Sequence, residues 1–414
     1  MPQTRTSPSP PPSAPRPAPE RGRAALGPAL ALVHTGQAPT RAELTTRLGV
    51  TRATAGAIAA ELAALGLITV DTSPVGGARR GRPSHRLAPA ASGPVVLAAR
   101  VHAGGISVAR VGLGGQTDGA VVDLPLPEPS APEPVLRTVA EAGARLAGES
   151  GGRRCIAFGL AVPTPVTVPD RTALAAIYLD WPPGTPVGEL FARAVADAGL
   201  ELPTRLANDA NLAALAEHRH GAGRGARHLL YVMTGDRGVG GGLVVDGQVH
   251  LGSAGLALEV GQVTVNPGSD GRLCACGNRG CLDVEADPAA LLAAAGEVER
   301  ADVPVLDQAR ALLRERGAEP RVRAAVERVA DRLGMGIAVM VNILNPDRVV
   351  LGALHADLLA AAPERLPQVV AERAYWGRSG RVPILPAALA DPDLIGAAEL
   401  AWQPFLDDPL LLAV

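Results

Sequence analysis

The stretch TRAELTTRLGVTRATAGAIAAELAAL, Thr40 to Leu65, decides how the first ninety residues are read. Thr40 precedes a helical pattern with Glu43 three positions on, the signature of a capping box, and Leu44 and Leu48 supply its apolar face. Gly49 ends that helix. Thr51 is placed to cap the next one, running to Leu65, in which Ile58, Leu62 and Leu65 share a face while Arg52 and Thr54 point elsewhere. A helix, a tight turn containing Gly and a second helix with a polar leading end make a helix-turn-helix, whose second helix lies in the DNA major groove. Upstream, Leu26, Leu30 and Val33 predict a further helix ended by Thr35-Gly36, and Met1–Glu20, with eight Pro, predicts a disordered tail. Downstream, Leu67 to Asp71 and Ser84 to Leu87 read as two short strands around Gly76–Pro83, a winged loop. In that wing Arg79 and Arg80 would hold phosphates and Arg82 would enter the narrow minor groove. On the recognition helix, base reading falls to Thr51, Arg52 and Thr54, with Arg52 the one long donor.

Charge agrees with that assignment. Residues 1–90 carry 11 Arg against 4 acidic residues, a net +7, whereas the remainder carries 28 against 37, a net −9. A basic head on an acidic body is the electrostatic footprint of a DNA-binding module. All 39 basic residues are Arg, which reads as genome-level bias and carries no functional weight. At 2% aromatic residues the chain offers no stacking platform for single-stranded nucleic acid. No apolar run approaches the roughly 18–20 residues of a membrane span, and the start lacks the apolar core of a secretion signal, so the expected location is the cytoplasm. With 414 residues the chain is long enough for two or three domains, divided as a tail over 1–20, a winged helix-turn-helix over 21–90 and a body over 91–414.

From Val95 onward strand-like apolar runs alternate with Ala- and Leu-rich helices, the mark of an α/β architecture. Val95 to Arg100 and Ile106 to Val111 flank a hairpin turn at His102–Gly105. Ile156 to Val162 and Leu229 to Met233 read as strands, Glu189 to Asp197 as a helix, and Gly238–Gly242 as a flexible turn. Asn208-Asp209-Ala210-Asn211 opens a helix ending near His218, placing Asp209 either as an N-cap or as a base facing a cleft. Cys274, Cys276 and Cys281 crowd around a Gly-containing turn; thiolates so spaced converge on one soft ion, and zinc is the natural choice. The fourth ligand is left to water or to a neighbouring His such as His250.

Taken together, the head, the Asn-Asp-Ala-Asn helix, the Gly-rich turn at Gly238–Gly242, Glu259-Val260-Gly261, the cysteine motif and Asn345–Gly352 resemble the ROK family of sugar kinases and sugar-responsive repressors, over nearly the whole chain from Ala24. Repressor members carry an N-terminal winged helix-turn-helix with a Gly-Arg-Pro wing, which Gly81-Arg82-Pro83 matches. The resemblance implies a two-lobed actin-like ATPase fold behind that head, and a homodimer or dimer of dimers on an inverted-repeat operator in double-stranded DNA. It also implies a sugar-type effector bound by Asn208, Asp209, Glu259, Gln262 and Asp283. The departures bear on activity. The family's ATP-binding Asp-x-Gly-Gly-Thr turn is matched by His102-Ala103-Gly104-Gly105-Ile106, so the magnesium-side carboxylate and the hydroxyl are absent and Asp209 is a vestigial base. The family's Glu-x-Gly-His ends here in Gln262, its Asn-Leu-Gly-Trp becomes Tyr178-Leu179-Asp180-Trp181, and the Glu after the last cysteine is Asp283. The expectation is a transcriptional regulator, a repressor by resemblance, with a catalytically inactive body. The rivals are an active sugar kinase with an appended head, and a DNA-binding protein whose body takes no small molecule.

Overall fold

In the computed structural model, which describes residues 24–71, 84–174, 179, 181–375 and 382–413, the head begins with α1 (Leu26–His34), α2 (Arg41–Leu48) and α3 (Arg52–Ala64). Thr40 caps α2 by accepting from the Glu43 amide, while its hydroxyl donates to the Glu43 carboxylate at 2.8 Å. The carboxylate therefore serves the Thr40 side chain rather than the Thr40 backbone that a full capping box would engage. Gly49 closes α2 at φ 63, the left-handed region that Gly enters without a Cβ penalty. Leu26, Leu30, Leu44, Ile58 and Leu62, fully buried, knit the three helices together. β1 (Ile68–Asp71) and β2 (Arg86–Pro89) pair antiparallel. The residues between them that carry Arg79, Arg80 and Arg82 lie outside the described residues. The described residues up to Gly93, with those from Pro404 onward, form one compact unit, and Pro94–Gln403 form a second.

The second unit contains two sheets. The first, ordered β5-β4-β3-β6-β7, is built from β3 (Val95–His102), β4 (Gly105–Gly112), β5 (Val122–Leu124), β6 (Cys155–Val162) and β7 (Thr204–Asn208). β3 and β4 form the expected hairpin, with His102 opposite Gly105 at its tip, while β6 and β7 run parallel to β3. α4 (Pro132–Gly148) and α5 (Val187–Asp197) seal this sheet through Val135, Leu136, Val139 and Phe191 against Leu97 and Phe158. Phe158 and Phe191 meet edge to face at 5.2 Å.

α6 (Asp209–His220) leads from β7 into the second sheet, ordered β10-β9-β8-β11-β12. Its strands are β8 (His228–Thr234), β9 (Val239–Val245), β10 (Gln248–Val249), β11 (Arg348–Gly352) and β12 (Ile384–Pro386). A 3-10 turn at Val260–Gln262, α7 (Leu282–Glu285), α8 (Pro288–Ala294), α9 (Val305–Arg316) and the long α10 (Pro320–Leu344) lie between β10 and β11. α11 (Leu354–Ala361), α12 (Arg365–Arg373) and α13 (Pro392–Asp407) complete the helices. Leu333, Ile337 and Val341 of α10 pack on a core shared with Leu230, Val232, Val349 and Leu351, while Ala213 and Ala214 of α6 meet Leu229, Tyr231 and Val350.

The glycine run expected to be a turn is most of a strand: β9 begins at Val239. A Cβ on Gly240 would stand 2.9 Å from Ala210 Cβ, one on Gly241 2.7 Å from Val260 Cγ2, and one on Gly242 2.7 Å from Ala214 Cβ. The glycines are there so that α6 and the 3-10 turn can lie almost on the sheet, a packing reason that the local sequence does not announce. Among the described residues no helix is long and apolar enough to cross a membrane.

Candidate functional site

On the head, α3 presents Thr51, Arg52 and Thr54 at its start. Thr51 is the N-cap: its hydroxyl oxygen accepts from the Thr54 amide at 3.2 Å and lies 2.9 Å from the Thr54 hydroxyl. The two threonines are thus engaged with each other and with the backbone. Arg52, exposed, has no hydrogen-bond or ion-pair partner among the described residues. Beyond it the outward positions of α3 are Ala53, Gly56, Ala57 and Ala60, so the helix surface is smooth.

In the body a cavity of about 980 Å³ opens between the two sheets' lobes, lined by the tip of the β3–β4 hairpin, the start of α6, the glycines of β9 and the segment before α13. Asn208 is the cap of α6, accepting from the Asn211 amide at 3.1 Å, which frees Asp209 from that role. Asp209 Oδ1 accepts from the Ala210 amide at 2.7 Å and from Asn208 Nδ2 at 2.9 Å. Burial first, and the charge of Asp393 second, push its carboxyl up to about 7 against those two hydrogen bonds. Glu259 enters the cavity just before the 3-10 turn, its carboxyl raised by desolvation and by Asp283. Leu258, immediately before it, holds φ 68, and Ala353, also on the cavity wall, holds φ 50. Left-handed conformations at non-glycine residues cost about 1–2 kcal/mol each, and such strain gathers at binding sites. Asp283 is committed elsewhere: Oδ1 accepts from the Val239 amide at 2.8 Å and Oδ2 lies 3.7 Å from the Cys274 thiol. Asn208, Asp209, Glu259, Gln262 and Asp283 all line the one cavity, whereas Tyr178 lies outside the described residues.

The hairpin tip is closed on itself. His102 Nδ1 accepts from the Gly104 amide at 3.2 Å, and Nε2 lies 3.4 Å from Ser107 Oγ, which donates to Asp123 at 2.7 Å. Because the Ser107 proton is directed to Asp123, the His102 proton belongs on Nε2. Burial first and the neighbouring Arg100 second hold the imidazole below its usual range. Gly105, at φ 144, could carry no side chain, since a Cβ would stand 2.3 Å from the Leu124 carbonyl. Arg100 in turn is gripped by Asp391 at 2.8 Å and Asp393 at 3.0 Å, with its Nε on Ser107 at 3.2 Å. Sequence reasoning missed this group. Arg100 and Asp393 are 293 residues apart, and no local pattern joins them.

Cys274, Cys276 and Cys281 do come together, their sulfurs all within 4.8 Å of one another and those of Cys276 and Cys281 at 3.6 Å. Tetrahedral zinc with bonds of about 2.3 Å sets its thiolates about 3.8 Å apart, so the cluster fits the ion with only a small contraction. Among the described residues no His, Asp or Glu has a ligand atom within that distance of all three sulfurs. Two side-chain oxygens stand beside Cys274 Sγ, Asp283 Oδ2 at 3.7 Å and Gln262 Oε1 at 3.9 Å.

Comparison with known proteins gives a match to the ROK family model over residues 108–403. The chain is similar to the xylose repressor of Caldicellulosiruptor bescii, 29% identical over 230 residues, which cover 53% of this chain and 55% of that one. It is also similar to the glucokinase of Streptomyces coelicolor, 28% identical over 307 residues covering 69% of this chain and 90% of the enzyme. The chain spans about half the length of the xylose repressors it matches. Among solved structures, a ROK family transcriptional regulator described as a homologue of the Escherichia coli Mlc protein superposes with a TM-score of 0.73. It is 21% identical and covers 95% of this chain and 98% of its own, a likeness of fold.

Proposed function

The chain belongs to the ROK family, and from that premise we propose that it is a DNA-binding transcriptional regulator, a repressor, whose kinase-like body is an effector-binding domain and not a phosphotransferase. The observation that carries this reading is the hairpin tip. A phosphate-binding turn offers its backbone amides to the nucleotide and a carboxylate to magnesium. By the motif resemblance His102 takes the carboxylate's place; its ring accepts the Gly104 amide proton, and Arg100 is already paired with Asp391 and Asp393. An incoming triphosphate would find an imidazole at the tip of the turn and would have to break these contacts. A base such as Asp209 without positioned phosphate does little.

The domain scheme that goes with this reading is a tail over 1–20, a winged helix-turn-helix over 21–90 and a sensor over 91–414. Thr51, Arg52 and Thr54 would face the major groove, with Arg79 and Arg80 on phosphates and Arg82 in the minor groove. Asn208, Asp209, Glu259 and Gln262 are the polar groups offered to an effector rich in hydroxyls, a sugar or sugar derivative, with Asp283 on the same wall holding the Val239 amide. Cys274, Cys276 and Cys281 would hold one structural zinc with Gln262 Oε1 or water in the fourth place, tying the loop before α7 to the cavity wall. Two copies of the chain would read an inverted repeat through their two-fold axis.

One observation favours the rival reading of an active kinase: Asp209, with its carboxyl near 7, is tuned as a general base tends to be. Two measurements on the full chain decide. Selection from a random duplex pool should recover an enriched inverted repeat whose occupancy changes with one or more sugars. A coupled assay should find no sugar-dependent ADP formation above the blank. ADP formation abolished by Asp209→Asn would establish the kinase, and a pool with no enriched motif would remove the regulator. Elemental analysis of chelator-free protein should find about one zinc per chain, and a metal-free folded protein would remove the zinc.

A further inference from the structure

The head holds a second long cation that its helix pattern does not reveal. Arg41 is the first residue of α2, and its guanidinium lies across α3: a Cβ placed on Gly56 would stand 3.6 Å from Arg41 Nη1 and 4.0 Å from its Cδ. Gly56 is four residues after Arg52, one helical turn along the same face of α3. The Arg41 guanidinium has no hydrogen-bond or ion-pair partner among the described residues. The backbone beneath it is closed. The amides of Arg41, Ala42, Glu43 and Leu44 donate to the His85 carbonyl, Ser84 Oγ, Thr40 Oγ1 and the Thr40 carbonyl. The start of α2 therefore has no amide to offer an anion, and whatever this end of the helix gives to a polyanion must come from the Arg41 side chain.

We propose that Arg41 is a phosphate clamp: it reaches over the recognition helix, through the gap left by the missing side chain at Gly56, to a backbone phosphate of duplex DNA beside the groove that Arg52 reads. This rests on the regulator reading above and adds a contact to it. In helix-turn-helix docking the first helix crosses the sugar-phosphate backbone while the second enters the groove, so a cation rooted at the start of α2 meets phosphate rather than base edges. The short residues Ala53, Ala57 and Ala60 let α3 come close enough for both arginines to engage at once.

The test measures affinity of the full chain for its selected duplex and for a random duplex across a series of salt concentrations. Arg41→Gln should weaken both duplexes by the same factor, about tenfold, and lower the salt slope by about one. Arg41→Lys should keep the slope, because the charge remains. Arg41→Met keeps the length of the side chain without its charge and should reproduce the Arg41→Gln loss, so it carries the test if Arg41→Gln fails to fold. An unchanged salt slope in Arg41→Gln, or a loss confined to the selected duplex, overturns the proposal while leaving the regulator reading intact. A wild-type chain that binds neither duplex overturns the regulator reading and the clamp together.

Discussion

The head and the body handle arginine in opposite ways. On the head, Arg41 and Arg52 stand beside smooth helix surface with no partner among the described residues. In the cavity of the body every arginine on the wall is already held by acid: Arg100 by Asp391 and Asp393, Arg237 by Glu299, and Arg310 by Asp357. A cation left in water with no partner keeps its full attraction for a polyanion, whereas one gripped by two carboxylates has spent it. The two head arginines thus keep a charge open to an anion, and the three on the cavity wall do not.

The body's closure can be broken most severely at its glycine strand. Gly242→Ala puts a methyl 2.7 Å from Ala214 Cβ and 2.9 Å from the Ala210 carbonyl, where backbone cannot give way. A loss of about 3 kcal/mol or more is expected. The three Trp, at 181, 376 and 402, all fall within the span of the body, so the fluorescence-detected denaturation midpoint should drop sharply. An unchanged midpoint would mean that the strand is not packed as described.

Asp209 gives the next largest effect. Its carboxyl is raised from 3.8 to about 7, so between those values the folded chain holds a proton that the unfolded chain has released. Stability therefore falls as pH rises through that window, and the penalty is fully present above it. Asp209→Asn should raise stability at pH 8 by on the order of 3 kcal/mol, with the gain fading below pH 4. A gain independent of pH would contradict a shifted Asp209.

Arg52→Ala should cost about 1–3 kcal/mol on the preferred duplex and relax its sequence preference, read by repeating the pool selection with the variant. An unchanged motif would show that α3 does not read bases through Arg52. The smallest effect is Thr40→Ala, which removes the cap of α2 at about 1 kcal/mol. Loss of helical signal by circular dichroism without movement of the tryptophan transition would place that effect in the head alone.

Much of the fold was legible in the residues. The three head helices sit where the apolar spacing and the capping threonines put them, because cap, turn and stripe are all written within a few residues of one another. The β3–β4 hairpin and the crowding of Cys274, Cys276 and Cys281 were legible for the same reason. Gly240–Gly242 were misread because glycine serves both turns and close packing, and only the neighbour in space distinguishes them. His102 was visible as a departure from a motif, but its ring filling the Gly104 amide was not.

By itself the sequence determined what depends on near neighbours along the chain: helix starts, strand periodicity, the sign of charge in head and body, and the thiol spacing suited to a metal. The tertiary structure alone decided which charges are free and which are bound. Arg41 lies over Gly56, 15 positions away, and Arg100 is paired with Asp393 at a separation of 293. Such partners are chosen by how sheets and helices stack, and the strength of a charge depends on that partner and on how much water remains around it.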